Sequence, residues 1–142
     1  MNLDLASLDT VAACDAGAEI ELLHPTTQAP LGIFILVLGR DSQVFKNYTR
    51  QTINARLRKE ALNKRRGRES EVTTVELAEE DNIAALVACT RAWRTGEDPV
   101  ITFRGSDLPF SPENAALIYN ALPWLKRQVD EGIGDLENFL KA

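Results

Sequence analysis

Histidine is nearly absent from this chain, and the scarcity narrows its chemistry at once. Of 142 residues only His24 is a histidine, and only Cys14 and Cys89 are cysteines. A structural or catalytic zinc takes three or four Cys, His or carboxylate ligands, and a nucleophile activated by imidazole needs a histidine beside it. His24 stands directly before Pro25 in a stretch that reads as a turn, and the chain has no CxxC and no Cys/His cluster. Two cysteines do not make a disulfide framework, so both read as reduced thiols. Long hydrophobic runs are missing as well. The longest, LGIFILVLG from Leu31 to Gly39, falls far short of the roughly 20 apolar residues that a membrane-spanning helix needs. The opening MNLDLASLDT carries two acids and no Lys or Arg, unlike a secretory signal. The expectation is a protein that stays in the cytoplasm where it is made. Aromatics make up only 6% of the chain, so its core must be mostly aliphatic.

Motifs that carry chemistry are equally scarce. The acidic pairs Glu79–Glu80 and Asp130–Glu131 are adjacent in sequence, and neighbours on a helix do not face each other. The Gly132-x-Gly134 pair lies in a helical pattern, with no strand before it and no third glycine at the spacing of a phosphate loop. No catalytic, cofactor-binding or metal-ligating residue is assigned, and the expected protein is not an enzyme.

What is present is one domain's worth of chain with 44% hydrophobic residues, enough for a single core. Residues 1–16 read as a short helix or ordered arm stopped by Gly17. Ala18 to Leu23 and Gly32 to Leu38 are β-prone runs separated by the turn-rich HPTTQAP, which predicts an antiparallel hairpin. The second run alternates Ile33, Ile35 and Val37 with Phe34, Leu36 and Leu38. Both faces are apolar, which predicts cover on both sides, by helices. Asp41 or Ser42 caps a long helix that runs to Arg66 and stops at Gly67. A loop follows, with a short strand at Val72 to Leu77. A third helix is expected from Ala78 to Arg94, with Ile83, Leu86, Val87, Thr90 and Trp93 as its apolar stripe. VITFRG reads as a short strand. Ser111 caps and Pro112 opens a short helix reaching Leu122, and Pro123 must start another because it cannot continue the first. Leu125, Val129, Ile133, Leu136 and Leu140 then recur at helical steps. The predicted fold is α+β: mainly α-helical, with a small N-terminal antiparallel β-hairpin packed on helices. Residues 1–40 form the arm and hairpin, 41–68 the long basic helix and 78–142 the helical C-terminal part of a single domain, 1–142.

Charge is unevenly spread. Between Lys46 and Arg68 stand nine Lys/Arg against one acid, Glu60, in a chain whose net charge is −5. Such a helix suits either phosphate contacts with nucleic acid or an acidic protein surface, on a partner or on another copy. A pI near 4.9 and the lack of interleaved aromatics for base stacking make nucleic acid the less favoured partner. Arg50, Arg58 and Arg65 are the partner-binding candidates on this helix. Trp124, Leu125, Val129, Leu136, Phe139 and Leu140 are the apolar candidates near the C-terminus, where chain ends fray unless docked.

The C-terminal third carries a recognisable succession: Gly105, Pro109-Phe110, the cap SPENA from Ser111 to Ala115, PWLKRQV from Pro123 to Val129, and ENFL from Glu137 to Leu140. The front end adds MNL, a hairpin with His24-Pro25 in its turn, the step Gly39-Arg40-Asp41-Ser42, and the long basic helix. This order resembles the tail assembly chaperones of long-tailed bacteriophages of the siphophage type, over nearly the whole chain. The resemblance implies a protein that binds the tape-measure protein in the host cytoplasm before the tail tube polymerises, recruits the tail tube protein, forms homo-oligomers, and is absent from the mature virion. Many members of that family exist in a short and a frameshifted long form; the resemblance implies that this chain corresponds to the short one and leaves open whether a longer form exists. Two other readings remain open: a nucleic-acid-binding regulator that uses the basic helix 46–68, and a minor structural protein of the virion. The apolar stripes of the third and last helices are where a partner helix would lie, if they are not spent on the domain's own core.

Overall fold

The computed structural model describes residues 4–67 and 75–140. A 3-10 turn, Leu5–Leu8, and helix α1, Thr10–Ala16, are each capped by an aspartate: Asp4 accepts from the Ala6 amide and Asp9 from the Ala12 amide. Gly17 ends α1 at a φ of +82°. There a Cβ would lie 3.0 Å from the Val37 carbonyl oxygen, so both conformation and space call for glycine.

The predicted hairpin forms from β1, Ala18–Leu23, and β2, Pro30–Val37, in antiparallel register with Ala18 opposite Val37 and Glu21 opposite Phe34. Its turn is held partly by the His24 ring, whose Nδ1 accepts from the Thr26 and Thr27 amides. The sheet does not stop at the hairpin. A third strand, β3, Thr90–Thr95, pairs antiparallel with β2, and a separate hairpin is made of β4, Val100–Phe103, and β5, Ser106–Pro109. The strands are therefore not confined to the N-terminal part. The fold is mixed α+β, with five helices and two small antiparallel sheets among the described residues.

The helix expected to reach Arg94 is α3, Val75–Cys89, and it gives way to β3 at Thr90. A β-bulge explains why the helical reading was persuasive. Leu36 pairs with Ala92 but Val37 pairs with Thr90, so Arg91 is an extra residue in the ladder. That insertion turns Thr90 and Trp93, three apart, to the same inner face, a spacing that on paper belongs to a helix. Both are buried. Thr90 also closes the helix end chemically: its hydroxyl bonds the Leu86 carbonyl and the Tyr119 hydroxyl, each at 2.7 Å. The strand expected over Val72 to Leu77 is corrected too. Val75 to Leu77 begin α3, and residues 72–74 lie outside the described residues.

β2 is covered unequally. Ile35 and Val37 are fully buried on the inner face, toward the helical core. On the outer face Phe34 and Leu36 stay half-buried. Phe34 lies under the Arg94 guanidinium at 4.0 Å, and Arg94 is held by Glu19 at 2.7 Å. A cross-strand ion pair above an aromatic ring occupies the place where a second helix was expected.

Helix α2, Gln43–Arg65, starts at Ser42, whose side chain accepts from the Phe45 amide, and is followed by Gly67 at a φ of +69°. The C-terminal corner forms as expected. α4 spans Pro112–Ala121 behind the Ser111 cap, and α5 spans Pro123–Gly134. Leu122 lies between them in extended conformation, its amide still donating to the Ile118 carbonyl. α5 packs on β1 and β2. Gly132 permits that approach, because a Cβ there would sit 2.8 Å from Cδ1 of Ile20. Ile118, Tyr119, Leu125, Val129 and Ile133 fill the space between α4, α5 and the sheet.

Candidate polypeptide-binding surfaces

Helix α2 is exposed along most of its length. Asp15 accepts from the Gln43 amide at 2.8 Å and anchors its start, and it touches α1 and α3, yet none of its side chains is buried. Ile53 and Leu57 are 52% and 57% exposed, a large apolar area to leave in water. Near its N-terminal end, Phe45, Lys46, Arg50 and Ile53 line an open groove of about 430 Å³ together with Arg40. Arg40 is tied to Asp130 of α5 at 3.0 Å. The three sequence candidates on this helix, Arg50, Arg58 and Arg65, are all exposed. Steps of eight and seven keep them within an arc of about 80°, at about 100° per residue.

A second surface was singled out from sequence only in part, through the apolar stripe of the third helix. Ile83, Ala84 and Val87 of α3 face Ala116 and Asn120 of α4 across a groove of about 340 Å³. The small Ala84 and Ala116 leave the space, and half-buried Ile83 and Val87 supply its apolar floor. The Asn120 amide is turned back onto its own helix, donating to the Ala116 carbonyl at 2.8 Å, which leaves the slot apolar. Leu117, the neighbour of Ala116, is 46% exposed. The signal for this groove was half visible: Ile83 and Val87 belong to the α3 stripe, but the alanines that make room for a partner look in sequence like ordinary helix formers.

The C-terminal candidates separate. Leu125 and Val129 are core residues, because the α5 face that carries them is the one pressed against α4 and the sheet. They are withdrawn as contact residues. Trp124 is half-buried and packs on that core at the corner. The expected stripe breaks after Ile133: α5 ends at Gly134, and Asp135, in extended conformation, caps the 3-10 turn Leu136–Asn138. Leu136 is exposed, Leu140 is half-buried, and Phe139 packs against the core near Gly39.

A third surface lies at the free edge of β1. Gln128 of α5 accepts from the Leu23 amide at 2.9 Å and donates to the Leu23 carbonyl at 2.8 Å, standing in for a neighbouring strand. Beside it Ile20, Glu21, Leu23, Glu131 and Asp135 line a shallow groove of about 230 Å³. The carboxylates of Glu131 and Asp135 are exposed, while Glu21, opposite Phe34, turns to the outer face near Arg94.

The remaining reactive groups are buried. Cys14 and Cys89 are free thiols inside the fold. Burial pushes the Cys14 thiol up, and pushes Cys89 up to about 11 against the pull of Arg91 and a hydrogen bond with Ser42. Such thiols are poor nucleophiles. Tyr119 is pushed up to about 12 by burial, opposed by its bond with Thr90. Among the described residues no helix is long and apolar enough to cross a membrane. No protein-family model, curated protein or solved structure matches this chain.

Proposed function

We propose that this protein is a non-enzymatic assembly chaperone that grips an amphipathic helix of another polypeptide, acting in phage tail morphogenesis on the tape-measure protein and on the tail tube protein. The observation that carries the reading is the apolar slot between α3 and α4. It has the composition of a helix-in-groove site: an aliphatic floor of Ile83 and Val87, small Ala84 and Ala116 that leave room for a partner, and a mostly apolar lining. Each Leu-sized side chain that a partner buries there contributes about 1.5–3 kcal/mol, so two or three anchors suffice for reversible holding. The succession of Gly105, Pro109-Phe110, SPENA, PWLKRQV and ENFL supports the tail-chaperone version of this reading. Release before the particle is complete follows from it, with the chain absent from the mature virion.

Co-expression with the tape-measure and tube proteins tests the proposal. An affinity-tagged chain recovers at least one of them, and Ala116→Glu, which puts a charge into the slot from a half-buried helix position, lowers recovery at least about tenfold without changing the circular dichroism spectrum. Recovery of neither protein overturns the reading. The exposed cations of α2 favour a second reading, a nucleic-acid-binding regulator. That one requires a gel shift at low salt that falls steeply as salt rises.

A further inference from the structure

We propose that copies of this chain associate head-to-tail, with the basic helix α2 of one copy seated on the acidic groove between β1 and α5 of the next.

Charge partition is the first argument. α2 carries seven Lys/Arg against Glu60, a net +6, so the rest of the chain must stand at −11 to give the total of −5. A chain divided in this way attracts its own kind whenever the two parts of neighbouring copies can meet.

The faces that would meet are complementary in detail. On α2, Lys46, Arg50, Ile53, Leu57 and Lys64 fall within an arc of about 60° at about 100° per residue. All five are exposed. This face is an apolar pair flanked by cations. The β1–α5 groove presents the converse, with Ile20 and Leu23 beside the exposed carboxylates of Glu131 and Asp135. Leu136, directly after Asp135, adds a 38% exposed apolar side chain. Aliphatic groups meet aliphatic groups and cations meet acids around the rim, the usual anatomy of a specific interface.

Neither face can pair with itself, since α2 on α2 sets cations against cations and groove on groove sets acids against acids. Made once between each pair of neighbours, the contact is heterologous. It leaves a free helix at one end and a free groove at the other, and it builds rings or open filaments according to the rotation between copies. This inference stands independently of the chaperone reading. Loss of tape-measure binding leaves it intact, and a monomer that still binds the tape measure contradicts it alone.

Sedimentation velocity on the purified chain tests it. Wild type sediments above its 15.7 kDa monomer mass at low salt and moves toward that mass at about 1 M salt, where the Debye length is about 3 Å. K46E/R50E and E131K/D135K each weaken association at least about tenfold, with unchanged circular dichroism. An equimolar mixture of these two variants restores it, because each now offers the surface the other lacks, and so does the single chain carrying all four changes. A monomeric wild type at low salt overturns the proposal, including one that binds DNA instead. So does association indifferent to both pairs of reversals, or association lost in both and regained in neither combination.

Discussion

Two glycines in α5 separate packing from propensity. Alanine is favoured over glycine in a helix by about 1 kcal/mol, so both Gly132 and Gly134 look expendable. At Gly132 the added methyl would stand 2.8 Å from Ile20 Cδ1 and 3.0 Å from its Cγ2, inside the α5–β1 contact. Gly132→Ala should destabilise the fold by about 1–3 kcal/mol. At Gly134 the atoms nearest the same methyl belong to the Arg40 guanidinium, at 3.3 Å, the far end of a long exposed side chain that can give way while keeping its bond to Asp130. Gly134→Ala should change stability by less than about 0.5 kcal/mol. Urea unfolding of the pair checks both. The buried acids make a second residue-scale prediction. Unfolded, the Cys89 thiol and Tyr119 phenol ionise near 9.0 and 10.0; folded, they hold their protons to about 11 and about 12. As pH rises through that window the unfolded chain gives up protons that the folded one keeps, so stability is full below about pH 9 and falls progressively above it. Melting temperatures between pH 8 and 11 should show the fall. Tyr119→Phe should flatten its upper part, at a cost near neutral pH of about 0.5–1.5 kcal/mol for the lost bond to Thr90.

At the scale of elements, α2 is held at its start and free along its length. Ser42 is fully buried and supplies the cap that Phe45 needs, so Ser42→Ala should lower stability by about 1–2 kcal/mol. Ile53→Lys and Leu57→Lys should leave it within about 0.5 kcal/mol while weakening self-association, and thermal melts beside sedimentation separate the two effects. How well each element could be read follows from where its signal lay. The caps at Ser42 and Ser111, the stops at Gly17 and Gly67 and the corner at Pro123 are local and stereochemical, and the chain obeys them. β3 was missed because an unpaired Arg91 gives a strand the inner-face spacing of a helix, and because β3 pairs with β2, more than fifty residues away. A strand defined by so distant a partner leaves little trace in its own segment.

Over the whole molecule, the candidate surfaces were legible only where charge reported them. The basic α2 was plain from nine Lys/Arg in one stretch, and its exposure follows from an incomplete apolar stripe. Leu125 and Val129 could not be told from contact residues, since a stripe at helical steps looks alike whether the domain or a partner covers it. The α3/α4 slot depends on two alanines, and the acidic groove on the approach of α5 to β1. Neither exists before the chain folds. The proposed function rests on the α3/α4 slot accepting a helix of another protein. Hydrogen–deuterium exchange on the purified chain, with and without purified tape-measure protein, tests it most directly. Slower exchange is expected in peptides spanning residues 83–87 and 116–120 when the proposed partner is present. A partner that leaves both segments unchanged would contradict it.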